Sequence, residues 1–140
     1  MSESPTSTTS TQTFYPTMRY ADARAAIAWL ARAFGFEEHV CYAADDGSVA
    51  HAQISFGGGL IMLGSTRDDD YPVETPAVIG GLTGSVYVAV PADEIDAHYA
   101  RATAAGARLR IELHDTDYGS REYSAYDPEG HLWSFGTYRP

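Results

Sequence analysis

The sequence predicts an α+β fold made of two βαβββ modules, and two observations predict it. The first is an internal repeat: Asp22 and Asp93, Gly35 and Gly106, and Gly59 and Gly130 are each 71 residues apart. Single matches of Gly or Asp are common by chance, but three in one register with similar flanks indicate a duplication. The second is a change of period within each half. A stretch with apolar residues at helical spacing is followed by stretches in which apolar and polar residues alternate.

Each half parses in the same order. A strand over 14–20 leads to a helix from Asp22 to Gly35. Asp22 suits the N-cap, Ala26, Ile27, Leu30 and Phe34 form the apolar stripe, and Gly35 suits the left-handed stop. Three strands follow, over 37–43, 48–56 and 60–64, with Asp45-Asp46-Gly47 as a hairpin signal. The second half repeats the plan: a strand over 85–90, then a helix capped by Asp93 and ended by Gly106. Its stripe is Ile95, Tyr99 and Ala102. Strands over 107–113, 121–126 and 132–137 complete it, with Asp127-Pro128-Glu129-Gly130 as the turn. The glycines of Gly57-Gly58-Gly59 serve a hairpin and not a phosphate. The organisation expected is a disordered tail over 1–13, then one domain over 14–140: module one over 14–64, a linker over 65–82 and module two over 83–138.

Composition bounds the function. The 140 residues carry a formal charge of −10, a field that repels phosphate backbones and anionic membranes and favours cationic ligands. Nucleic acid and membrane are therefore not expected partners. Cys41 is the single cysteine, which excludes an internal disulfide, a thiolate zinc cluster and a Cys-x-x-Cys redox site. The Ser/Thr-rich segment Met1–Thr13 has neither a basic start nor an apolar stretch, so a cytoplasmic protein is expected.

Alternation sorts the strand residues onto two faces. Ala52, Ile54, Phe56, Val86, Val88, Val90, Met18 and Tyr20 form the face suited to the helices, and Trp133 and Phe135 pack beneath them. The opposite face carries Tyr15, Thr17, Gln53, Ser55, Ser85, Tyr87, Ser124, Tyr126 and Ser134, together with His51 and its repeat equivalent Glu122. This band of small, polar and aromatic side chains suits a cavity wall, and these are the candidate ligand-binding residues. Its tyrosines suit a planar or cationic ligand. His51 and Glu122 are candidate catalytic residues, since a histidine facing a carboxylate forms an acid–base pair. His39, His98 and His114 read as surface residues, and His131 as an anchor for its own turn.

Several segments carry a family resemblance. Ala33-Phe34-Gly35-Phe36, His51-Ala52-Gln53-Ile54-Ser55-Phe56-Gly57-Gly58, Leu60-Ile61-Met62-Leu63 and Tyr126-Asp127-Pro128-Glu129-Gly130-His131-Leu132-Trp133, in this order, resemble the vicinal oxygen chelate superfamily. That superfamily takes in glyoxalase I, bleomycin-resistance proteins and extradiol dioxygenases. The resemblance implies a U-shaped, eight-stranded mixed sheet around a cleft, one helix per module packed outside, and a homodimer. It also places the metal ligands of the metalloenzymes at Tyr15, Met62 or Leu63, Ser85 and Ser134. None is His, Asp or Glu, so neither a metal nor another cofactor is expected. The reading that follows is a metal-independent protein that binds a cationic or aromatic small molecule, like the antibiotic-resistance branch. Two alternatives stay open: a metal-free isomerase- or lyase-like enzyme using His51 and Glu122, and a divalent-metal enzyme with ligands elsewhere.

Overall fold

A computed structural model describes residues 11–140. Most of the tail expected over 1–13 therefore lies outside the described residues. Inside them, the Gln12 amide donates to the Leu60 carbonyl and accepts from the Leu60 N–H.

The element order is β1 (Thr17–Tyr20), α1 (Ala23–Phe34), β2 (Glu37–Ala43), β3 (Val49–Phe56), β4 (Gly59–Ser65), α2 (Pro76–Ile79), β5 (Val86–Ala89), α3 (Ile95–Ala104), β6 (Arg108–Asp115), β7 (Arg121–Tyr126) and β8 (Leu132–Gly136). The class is α+β with two βαβββ modules, as the repeat predicts. The strands form two four-stranded sheets, ordered β1-β4-β3-β2 and β5-β8-β7-β6. In each, the first strand pairs in parallel with the last and the other pairings are antiparallel. β1 and β5 are thus corresponding edge strands.

The two helices begin differently. Asp22 caps α1, its Oδ1 accepting from the Ala25 N–H, and Gly35 at φ 80° closes the helix with its N–H on the Ala31 carbonyl. Asp93 does not cap α3 as expected. Glu94 donates its N–H back to Pro91 O, which turns the chain once more before the helix starts at Ile95, and no side chain caps that end. The linker also contains α2, a single turn capped by Thr75, that the expected elements lack.

One core joins the modules. Leu30, Phe34, Ile54, Tyr123, Trp133 and Phe135 are almost fully buried in it. Phe34 of α1 touches Trp133 and Phe135 of module two, and Trp29 donates its indole N–H to Ala105 O at the end of α3. His98 belongs to this core, which corrects the surface reading. It lies three residues after Ile95 and four before Ala102, in the stripe itself. Its ring nitrogens meet Tyr123 Oη at 2.7 Å and Phe34 O at 2.8 Å, both partners a buried imidazole needs. Burial lowers its pKa below the usual 6.5, so it is neutral in the fold.

Candidate functional site

The hairpins that close the two sheets sit at equivalent places in the repeat and do different work. The β7–β8 hairpin clasps module one. Asp127 is 3% exposed. Its Oδ2 accepts from Tyr20 Oη at 2.6 Å and Trp133 Nε1 at 3.0 Å, while its Oδ1 accepts from the N–H groups of Glu129 and His131. The Glu129 carboxylate accepts from the backbone N–H groups of Ala21 and Asp22, at the start of α1. The His131 ring reaches Arg19 O and packs on Tyr20. The ring therefore anchors β1, where the sequence had suggested its own turn.

The β3–β4 hairpin has no such acid. Gly57 and Gly58 form a two-residue turn between the paired Phe56 and Gly59. The hairpin lines a cavity of about 410 Å3 between the modules. Phe36, Phe56, Ile61, Val86 and Val88 make its apolar wall, with Gln12, Tyr87 and Arg139 contributing polar groups. A cavity of this size, walled by apolar side chains and polar groups together, has the character of a small-molecule site.

Apart from Tyr15 and Ser85, which lie just before β1 and β5, the candidate residues lie on the strand faces turned away from the helices, and the set falls into two separate bands. In module one, Gln53 Nε2 meets His51 Nε2 at 3.1 Å, Tyr42 stacks on the His51 ring, and Ser55 bonds His39. Tyr15 donates to Gln12 O and Thr17 Oγ1 to Tyr15 O. The linker lies over this band. Arg19 forms a salt bridge with Asp69 at 2.8 Å and donates to the carbonyls of Tyr71, Arg67 and Val73. In module two, Ser124 and Ser134 bond each other at 2.8 Å, and Arg108 stacks 4.3 Å from the Tyr126 ring centroid. Tyr87 donates to Tyr138 O at 2.6 Å and Tyr118 to Glu122 Oε1 at 3.0 Å.

The structure brings few of these residues into one cavity. Tyr87 lines the 410 Å3 cavity, and Thr17 and Ser85 line a smaller one between β1 and β5. Thr17 and His51 share a shallow recess beneath the linker. Tyr126 borders a groove beside Pro76 and Leu82. Among the described residues no hydrogen bond or ion pair joins His51 to Glu122, and each has its own partners. Sequence reasoning missed Phe36, Phe56, Arg139, Tyr118 and Tyr138. Tyr118 carried a usable signal, a turn aromatic four residues before Glu122. Phe56, Val86 and Val88 of the cavity wall carried none, because alternation assigns them to the face that packs on the helices.

Electrostatics leave the phenols of this region protonated. Burial, and then the Glu122 charge, raise the pKa of Tyr87 above its usual value. The hydrogen bond to Glu122 raises that of Tyr118. Both are hydrogen-bond donors at neutral pH.

Residues 13–135 match the Glyoxalase/Bleomycin resistance protein/Dioxygenase superfamily. The Mycobacterium bovis protein Mb0911c is 33% identical over 121 residues, covering 82% of this chain and 76% of that protein. The crystal structure of TioX from Micromonospora sp. ML1 superposes with a TM-score of 0.71 at 34% identity, covering 89% of this chain and 94% of the other. The fosfomycin resistance protein FosX from Listeria monocytogenes shares the fold at 18% identity. It has a TM-score of 0.66 and covers 92% of this chain and 91% of its own, and that structure holds Mn(II) and 1S,2S-dihydroxypropylphosphonic acid. The donor set here does not fit such an ion. At the positions the resemblance assigns to ligands, Tyr15 is a phenol bonded to Gln12 O, Met62 a thioether, and Ser134 a hydroxyl tied to Ser124. Among the described residues, no three His, Cys, Asp or Glu side chains group as a metal site.

Proposed function

The chain belongs to the Glyoxalase/Bleomycin resistance protein/Dioxygenase superfamily, and on that premise we propose that it is a metal-independent small-molecule-binding protein of the resistance type. The ligand is cationic or aromatic, and it enters beside Tyr87. One observation carries this reading: Tyr87 borders a cavity of about 410 Å3, walled in part by Phe36, Phe56 and Val88, and its phenol also lies within the field of the Glu122 carboxylate. A flat apolar body fits the first and a polar or charged end fits the second. In this reading the domain spans 14–140, works in the cytoplasm and forms a homodimer. Val78, Ile79 and Leu82 support the dimer, being exposed apolar side chains in a linker whose short helix buries none of its own residues.

The test is a thermal-shift titration with cationic and neutral aromatic antibiotics. A ligand at 100 times its Kd stabilises the fold by about 2.7 kcal/mol, several degrees at this chain length. A saturable shift without turnover, blunted in Val88→Trp or Leu60→Trp, is the expected result. A panel with no shift rejects the reading for those compounds.

A further inference from the structure

Glu122 is half-buried on the outer face of β7, and its surroundings are unusual for a carboxylate in this protein. All nine basic residues are arginines, and among the described residues none forms an ion pair with it. The ion pairs are Arg19 with Asp69, and Arg121 with Asp96 and Asp115. Its neighbour Arg121 thus turns to other acids. His114 stands opposite Glu122 in the β6–β7 ladder, yet its Nδ1 bonds Glu112 O. Two tyrosines lie beside the carboxylate, Tyr118 and Tyr87, and a third, Tyr138, contacts both of them. Tyr118 donates to it and packs edge-on against Tyr138, ring centroids 6.2 Å apart. Tyr87 donates to the Tyr138 carbonyl. Tyr118 and Tyr138 are 62% and 53% exposed, so their rings are open to a ligand.

Gly136 of β8 makes this packing possible. A Cβ there would lie 2.6 Å from Tyr87 Oη and 2.7 Å from Glu122 Cγ, so any side chain displaces both.

We infer that Glu122 with the rings of Tyr87, Tyr118 and Tyr138 is a subsite for an alkylated ammonium group, the cationic end of the ligand. A carboxylate without a basic partner supplies the charge complement. Aromatic rings attract a weakly hydrated cation through their faces, whereas a primary ammonium keeps more of its water. The overall charge of −10 adds long-range attraction. The inference rests on the small-molecule reading above and specifies its ligand class.

The experiment compares choline with dimethylbutanol, its uncharged carbon analogue, by NMR titration of the whole protein. The expected result is a saturable shift change at Tyr118, Glu122 and Tyr138 for choline, with dimethylbutanol binding at least about tenfold more weakly. Glu122→Gln removes the discrimination, and Gly136→Ala weakens choline binding by displacing Tyr87. Tyr118→Phe retains the discrimination because it keeps the ring. Equal binding of the two probes, or shifts confined to other residues, overturns the subsite. Should Glu122→Gln not fold, the wild-type comparison decides alone. The two readings fail separately. Neutral aromatics that bind the cavity when choline shows no preference sink the subsite only. Choline selectivity with an otherwise silent antibiotic panel sinks the cavity reading and leaves the cation site.

Discussion

The hairpins after β3 and β7 occupy the same position in a 71-residue repeat, yet one is a clasp and the other a cavity wall. Asp127-Pro128-Glu129-Gly130 ties module two to β1 and the start of α1 through two carboxylates. Phe56-Gly57-Gly58-Gly59 presents no carboxylate, and about 410 Å3 of space lies beside it. A duplicated fold needs only one firm inter-module junction once the helices share a core. The equivalent junction is then free to hold a ligand.

Removing the clasp is the strongest way to break this comparison. Asp127→Ala leaves the buried Tyr20 hydroxyl and the Trp133 indole N–H without partners, and frees two turn N–H groups. A loss of about 3 kcal/mol or more in urea unfolding is expected. Asp127→Asn, which keeps one acceptor oxygen, should lose less. A wild-type stability for Asp127→Ala would show that the shared core alone joins the modules.

Equivalent glycines sharpen the contrast. Gly130 holds φ at +92°, and an added Cβ meets Pro76 at 3.5 Å. Gly130→Ala should therefore cost about 1–2 kcal/mol. Gly59 needs no left-handed backbone, and its nearest neighbour, Gln12 Oε1, is 3.6 Å away. Gly59→Ala should stay within about 0.5 kcal/mol of wild type while narrowing the cavity mouth. Equal costs at the two sites would remove the distinction.

The helices extend the asymmetry at smaller amplitude. Asp22→Ala removes a real cap and should cost about 1 kcal/mol, whereas Glu94→Ala removes none and should be near neutral.

His98 sets the smallest effect, read as pH dependence. Its pKa in the fold lies below the usual 6.5 because burial disfavours the charged ring. Its stabilising contribution is therefore complete above about pH 6.5. It is lost as pH falls, because the unfolded chain then takes up a proton that the folded chain refuses. The melting temperature should decline below pH 6.5, and His98→Gln should flatten that part of the profile. The slope cannot exceed about 1.4 kcal/mol per pH unit from this one group. A profile unchanged by the substitution would mean that His98 titrates normally.

Much of this was legible in the chain. Asp22 and Gly35 announce α1 because capping and left-handed closure are local chemistry. The alternation of Ala52 and Ile54 with His51 and Gln53 sorts the β3 faces correctly because a strand's period is two whatever surrounds it. His98 was misread because a polar residue in an apolar stripe is ambiguous until its partners are known, and Tyr123 and Phe34 lie 25 and 64 residues away. The linker latch at Arg19 was invisible for the same reason, since its acceptors are about 50 residues distant.

By itself, then, the sequence determined the duplication, the class, the faces of the strands and the burial of Trp133 and Phe135. These follow from periodicity and from local backbone chemistry, which act over a few residues. Only the tertiary structure decided that Asp127 and Glu129 bond to Tyr20, Ala21 and Asp22, that the glycine hairpin opens on a cavity, and that tyrosines gather at Glu122. Those outcomes depend on which surfaces meet when two similar modules pack. Hydrophobic burial drives the meeting without direction, and the polar groups brought together by it then choose partners by distance and hydrogen-bond geometry.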